Sequence, residues 1–223
     1  MKQTLALFDL DHTLLSGDSD VLWCQFLMAE AVLERTAFEA RNADMETRYR
    51  AGQVSAAEFS AFYVATLAGR SATAWAPLRE RYLQREILPR IPAAARALVA
   101  RHRQAGDLCV MTTATNRFLT EPTARHLGFE HLIATECELG AGGVFTGHPT
   151  GVLNMRDGKV TRLQAWLAAR GETLDGFGDS IAYSDSINDL PLLSAVRHAV
   201  AVDPDARLAA EAASRGWPLL HLR

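Results

Sequence analysis

Lysine is nearly missing from this chain: 21 arginines stand beside only two lysines, Lys2 and Lys159. An excess of basic charge is missing as well. Twenty-three Lys+Arg against 26 Asp+Glu leave a formal charge of −3, which offers no electropositive face to nucleic acid. The three cysteines, Cys24, Cys109 and Cys137, are odd in number, widely spaced and form no CxxC pair. That excludes a disulfide framework and predicts buried, reduced thiols in a cytoplasmic protein. No apolar stretch approaches the roughly 20 residues that span a bilayer. Asp9 and Asp11 interrupt the apolar start too early for a signal peptide, and no small-residue cleavage site follows them. Neither membrane nor nucleic acid is expected as a partner.

What is present is a globular composition. The 223 residues are 48% apolar and 22% charged, enough for one large domain or a core carrying a smaller insert. Residues 5–8 form a short apolar run ending in Asp9-Leu10-Asp11, which predicts a buried strand and then a polar loop. From about 19 to 88 no strand is evident. Helical patterns cover 21–27, 56–67 and 75–88, punctuated by Gly52, Gly69 and Ser71, and the Pro89–Pro92 phrase makes a stiff junction. Beyond it strands and helices alternate. Strands are predicted over 108–112, 132–135, 181–183 and 199–202, and helices over 93–104, 118–127, 162–169, 190–196 and 206–214. The Gly-rich segment 138–151 reads as a hairpin or irregular loop. This alternation predicts an α/β fold, a mainly parallel sheet with helices on both faces and a helical insert after its first strand.

Such a sheet binds ligands outside the carboxyl ends of its strands. Asp9-Leu10-Asp11-His12-Thr13, Thr113-Ala114-Thr115-Asn116 and Ser184-Asp185-Ser186-Ile187-Asn188-Asp189 all fall there. Asp9 and Asp11, two apart on an extended segment, point the same way. One can attack phosphorus while the other protonates a leaving oxygen. Carboxylate attack on a phosphate dianion is opposed by about 4 kcal/mol per charge pair at 4 Å and an effective dielectric of 20. A divalent cation and an ammonium offset that cost. Asp185 is the natural second metal ligand beside Asp9, and oxygen-only ligation favours Mg²⁺. Asp189 sits where it can orient metal-bound water. Lys159, expected just before a helix, supplies a compact point charge in a chain that otherwise uses arginine, although a place on an exposed loop would account for it equally. Thr113 can donate to a phosphoryl oxygen or cap a helix, a task Asn116 can take instead.

These motifs resemble those of the haloacid dehalogenase-like superfamily over nearly the whole chain. The resemblance implies a Rossmann-like core of residues 1–15 and 90–223, with an all-helical cap over 16–89. It makes Asp9 the nucleophile and Asp11 the acid–base, with Mg²⁺ on Asp9, Asp185 and the Asp11 backbone carbonyl, and Asp189 behind the metal. Phosphate would be gripped by Thr113, the Ala114 amide and Lys159, with Asn188 placed against the substrate. Ser184 departs from the more usual glycine. The insert is similar to the cap of the phosphoserine phosphatase-like branch, and Asp18 falls where that branch places a glutamate facing the substrate's ammonium. Asp18 suits equally the N-cap of the first cap helix. Counting from Gly52-Gln53-Val54 puts Ala61 where those phosphatases carry an arginine for the substrate carboxylate. The phrase from Leu14 to Asp20 resembles bacterial histidinol-phosphate phosphatases, whose substrate has an amine and no carboxylate. Histidinol phosphate is therefore the expected substrate, with phosphoserine, another small phosphate ester or a phosphomutase reaction as alternatives.

Overall fold

The computed structural model of the chain describes residues 2–50 and 53–223, without the side chains of residues 46, 49 and 50. Gly52, the start of the phrase from which Ala61 is counted, lies outside the described residues. Seven strands form one sheet: β1 (Thr4–Phe8), β2 (Leu108–Asn116), β3 (His131–Leu139), β4 (Phe145–Thr150), β5 (Asp179–Ser184), β6 (His198–Val202) and β7 (Leu219–Leu220). Their order is β4-β3-β2-β1-β5-β6-β7, and only the β3–β4 pair is antiparallel. The predicted hairpin over 138–151 is thus the β3–β4 turn.

The two-residue period of β1 divides the core. Leu5 and Leu7 pack with Leu163 and Leu167 of α7 (Asp157–Ala169), Leu192 and Leu193 of α8 (Leu190–Ala195), and Leu208 of α9 (Ala206–Arg215). Ala6 and Phe8 face the other way, onto Leu98 and Val99 of α5 (Ala93–Gln104) and Phe118, Leu119 and Leu127 of α6 (Arg117–Leu127). A central strand buried on both sides needs this unbroken apolar run.

Between β1 and β2 the chain is helical: α1 (Ser19–Ala29), α2 (Arg35–Arg50), α3 (Ala56–Val64) and α4 (Ala72–Tyr82), the last running into a wider turn over Leu83–Ile87. The sequence patterns locate α1, α3 and α4 but not α2, whose sixteen residues include only two large aliphatic or aromatic side chains, Phe38 and Met45, besides Tyr49. The insert has a small cluster of its own, Cys24, Phe38, Phe62 and Tyr63, but its aromatic centre joins the core of the sheet. Trp23 lies edge-on to Trp75 and Tyr82 at ring distances of 5.5 and 5.1 Å, and this aromatic group is continuous with the Phe8 face of the sheet. Its two crossings to the core are tied where Ser16 N–H donates to the Arg90 carbonyl at 2.8 Å. Its far side is stitched to β4, with Gly69 N–H donating to Phe145 O and Phe145 N–H to Arg70 O, both at 3.0 Å.

Three boundaries differ from expectation in ways that matter for the site. β2 runs four residues further than predicted, to Asn116, so Thr113–Asn116 belongs to a strand with a register shift rather than to a following loop. α7 begins at Asp157, five residues early, which puts Lys159 inside its first turn and not ahead of it. The short β7 had no apolar alternation to announce it. The three thiols are unpaired as expected; Cys24 and Cys109 are buried, whereas Cys137 is only half-buried, and desolvation raises Cys109 to about 11 and Cys137 to about 12.

Candidate active site

The carboxyl ends of β1, β2 and β5 meet at one cavity of about 240 Å³. Asp9 extends β1 by one residue, its N–H donating to the Tyr183 carbonyl of β5 at 3.0 Å. Its side chain is therefore fixed at the strand end, 7% exposed. The two oxygens of Asp9 have different neighbours. Oδ1 accepts from the Lys159 ammonium at 2.7 Å, while Oδ2 lies 3.1 Å from the Thr13 hydroxyl. That hydroxyl lies equally far, 3.1 Å, from Asp185 Oδ1 and accepts from the Asp185 N–H at 3.0 Å. Thr13 thus holds the two carboxylates against each other, a task its place in the Asp-x-Asp-x-Thr pattern did not reveal.

Lys159 is 2% exposed, which disposes of the exposed-loop reading. Its ammonium also donates to Asp189 Oδ2 at 2.6 Å, and that oxygen accepts from the Ser184 hydroxyl at 2.8 Å. Serine in place of glycine at 184 therefore adds a donor that orients Asp189. Desolvation opposes the charge on Lys159, but Asp189 and Asp9 outweigh it and raise its pKa. Burial drives the Asp9 carboxyl well up, with Lys159 pulling the other way and Asp189 and Asp185 adding to the rise. Asp185 is pushed to about 7 chiefly by burial. One ammonium does not balance this many buried carboxylates.

The other half of the cavity is acidic too. Asp11 Oδ1 accepts from the Ser19 N–H at 2.7 Å, and Oδ2 from the Thr115 hydroxyl at 2.9 Å and the Thr113 hydroxyl at 3.4 Å. Burial, then the nearby Asp18, raise its pKa to about 6. Asp18 is the N-cap of α1, its Oδ1 accepting from Val21 N–H at 3.0 Å, and it also lines the cavity. Asp20, not singled out from the sequence, lines the same wall. It lies 3.2 Å from the Thr115 hydroxyl, and burial and Asp18 push its pKa well up. Its sequence signal was its place at the end of the Leu14–Asp20 phrase. Asn116 caps α6 by accepting from Leu119 N–H at 3.1 Å, which leaves Thr113 free of that duty. Ala114 and Asn188 both line the cavity, and α3 contributes Phe59 and Ser60. Ala61 is not among the lining residues.

Comparison with known proteins identifies the family and the fold. A family model described as haloacid dehalogenase-like hydrolase matches residues 6–194. A histidinol-phosphatase from Neisseria meningitidis is 39% identical over 221 residues, spanning 99% of this chain and all of that protein. The crystal structure of a protein of unknown function from Bordetella pertussis superposes with a TM-score of 0.96 at 41% identity, over the full length of both chains. A substrate-bound phosphoserine phosphatase superposes with a TM-score of 0.69 over 99% of this chain and 93% of that one, but at 15% identity, a likeness of fold.

Proposed function

The chain belongs to the haloacid dehalogenase-like hydrolase family and is a phosphatase, and on that premise we propose that it hydrolyses a small phosphate monoester whose leaving group carries an amine and no carboxylate, histidinol phosphate being the best match. The observation that carries this reading is the unlike chemistry of the cavity's two ends. Hydrogen bonds gather Lys159 with Asp9 and Asp189, and Asp185 joins them through Thr13, whereas Asp11 and Asp20 meet at the Thr115 hydroxyl with Asp18 near Asp11. Among the described residues lining the cavity, Lys159 is the single lysine or arginine. A phosphoryl dianion is attracted to that ammonium. A carboxylate on the leaving group would meet three aspartates and no counter-charge, whereas an ammonium is favoured there. Full-length likeness to a histidinol-phosphatase supports the same choice.

Catalysis in this reading runs through Asp9. Its carboxylate attacks phosphorus and becomes an aspartyl phosphate, while Asp11 gives its proton to the departing oxygen and then takes one from the water that hydrolyses the intermediate. An Asp11 pKa near 6 suits both directions of transfer close to neutrality. The Thr113 hydroxyl, the Ala114 amide and the Lys159 ammonium grip the phosphoryl oxygens, and Asp189 holds Lys159 in place. Asn188 contacts the substrate. Residues 16–89 act as a cap over the leaving-group end and contribute Asp18, Asp20, Phe59 and Ser60 to the cavity lining.

The donor set fits Mg²⁺. Thr13 brings Asp9 Oδ2 and Asp185 Oδ1 to one hydroxyl, and burial holds both carboxyls above their ordinary range. Such a pair is what a hard cation stabilises as carboxylates. Among the described residues no group of three or more His, Cys, Asp or Glu side chains is placed to hold a metal ion. Mg²⁺ requires none, since it is commonly held by one or two carboxylates and keeps several waters. Asp9, Asp185 and the Asp11 carbonyl would hold it, with Asp189 behind. When bound it offsets the repulsion between the phosphate and Asp9.

The test is release of inorganic phosphate from histidinol phosphate, phosphoserine and p-nitrophenyl phosphate, with and without Mg²⁺. Release that requires Mg²⁺ and is most efficient on histidinol phosphate is expected. Phosphoryl transfer between organic acceptors without free phosphate would make the protein a phosphomutase instead.

A further inference from the structure

Phosphate in this site is gripped from two separate elements, Thr113 and Ala114 on β2 and Lys159 on α7, so something must set their spacing. We propose that Asn154 is the positioning residue that does so. Asn154 is fully buried. Its Nδ2 shares two hydrogens among three acceptors: the Thr112 hydroxyl at 3.0 Å, the Thr113 carbonyl at 2.9 Å and the Ile133 carbonyl at 2.9 Å. Its backbone N–H donates to the Thr135 hydroxyl at 3.2 Å. These acceptors flank the place where the β2–β3 register shifts, between Thr113 and Asn116. A ladder interrupted in this way needs donors from outside the sheet. Ala114, which lies within the shifted stretch, lines the cavity. One side-chain amide therefore closes the bulge and fixes the backbone of the phosphate-binding Thr113.

The same residue is tied rigidly to Lys159, five positions on. Gly158 N–H donates to the Met155 carbonyl at 2.9 Å and Lys159 N–H to the Arg156 carbonyl at 3.0 Å. The turn is tight enough that a Cβ at Gly158 would fall 2.0 Å from the Leu153 carbonyl oxygen. Arg162, one turn into α7, donates to the Val152 carbonyl at 3.0 Å and closes the loop from the other side. A shift of Asn154 is thereby passed to the Lys159 ammonium with little slack. The Oδ1 of Asn154 is buried without a hydrogen-bond partner. The residue thus serves through its amide hydrogens alone, and aspartate, its near-isostere, would put an oxygen against two carbonyls.

This inference rests on the phosphate-gripping roles proposed above for Thr113 and Lys159. Its test is calorimetric titration of the Mg²⁺-loaded protein with inorganic phosphate and with orthovanadate, which needs no turnover. Asn154→Asp and Asn154→Ala should weaken both ligands by about 10- to 100-fold, as expected for misplacement of about 1 Å. They should lower kcat/KM by one common factor on p-nitrophenyl phosphate and histidinol phosphate, since the shared phosphoryl end is disturbed. Thr112→Val removes only the hydroxyl acceptor and should stay within about 3-fold of wild type, because both carbonyls keep their donor. If neither Asn154 variant folds, Thr135→Val, which frees only the backbone anchor, should still weaken phosphate by about 3- to 10-fold. A folded Asn154 variant, or failing that Thr135→Val, with wild-type phosphate affinity overturns the inference, as does a loss seen on one ester alone. Wild-type protein that binds phosphate yet hydrolyses no ester would sink the proposed function and leave the positioning role to be judged by the titrations.

Discussion

Replacing Lys159 tests the centre of the site most directly, because the structure gives it two tasks that different substitutions separate. Its ammonium donates to Asp9 at 2.7 Å and to Asp189 at 2.6 Å from a position 2% exposed. Lys159→Met removes the charge and leaves two buried carboxylates unpaired, which costs about 3–5 kcal/mol. For a chain of this size that is roughly 6–20 °C in unfolding temperature. Lys159→Arg keeps the charge and spares most of that stability. The planar fork is larger than the ammonium, however, and Ser184 already occupies the Asp189 oxygen at 2.8 Å, so the guanidinium cannot satisfy both carboxylates in the same place. Misdirecting two charge-assisted hydrogen bonds of about 1.5–3 kcal/mol each predicts a fall in kcat/KM of roughly 10²- to 10⁴-fold. The assay is phosphate release at saturating Mg²⁺ alongside thermal unfolding. An arginine variant that is folded and keeps more than a third of wild-type kcat/KM would refute the reasoning, and an unchanged unfolding temperature in Lys159→Met would refute the buried ion pair.

Asp9→Asn should abolish turnover while the fold survives, because an amide is too weak a nucleophile at phosphorus and a metal ligand is lost with it; near-normal phosphate release would end the covalent mechanism. Asp18→Asn should leave α1 intact, since asparagine caps as well as aspartate, yet lower kcat/KM by about 10- to 150-fold on an amine-bearing ester, the equivalent of about 1.5–3 kcal/mol. Equal losses on p-nitrophenyl phosphate would show that Asp18 only caps the helix. In chelator, stability should rise as the pH falls from about 8 to 5. Folding raises Asp185 to about 7 and Asp11 to about 6 from an ordinary 3.8, so through that window the folded state binds protons that the unfolded chain does not, and their stabilising effect is lost as pH climbs past those values. An unfolding temperature that drops steadily over the same descent would contradict this, and Mg²⁺ should flatten the trend.

The sequence disclosed the site where chemistry and strand ends coincide, and missed it where the fold alone decides. Asp9 and Asp11 follow an apolar run that can only be a buried strand, and Lys159 stood out because arginine is used almost everywhere else. The α2 helix escaped because its large apolar residues, Phe38 and Met45, lie two turns apart with only alanines and polar residues between them, too sparse a stripe from which to read a period. Lys159 seemed to precede its helix because the first turn of α7, Asp157-Gly158-Lys159, carries a glycine that lowers helix propensity. That glycine is kept because a Cβ there would strike the Leu153 carbonyl.

Asn154 was beyond sequence reading for a related reason. Ligands bind at the ends of strands, but this residue serves from the segment between β4 and α7, which carries no periodicity, and its partners come from two strands brought together at a register shift. Asp18 is the instructive intermediate. Capping and substrate contact appeared as rival readings, yet a carboxylate has two oxygens, and the observed cap uses Oδ1 while the residue still lines the cavity. In the proposed mechanism the cap would also bear on catalysis, because Asp18 is the nearby charge that, after burial, raises the pKa of Asp11. Residue type and spacing therefore located the acids, but how far each resists ionisation depends on which acids burial makes neighbours, and that is set by the fold.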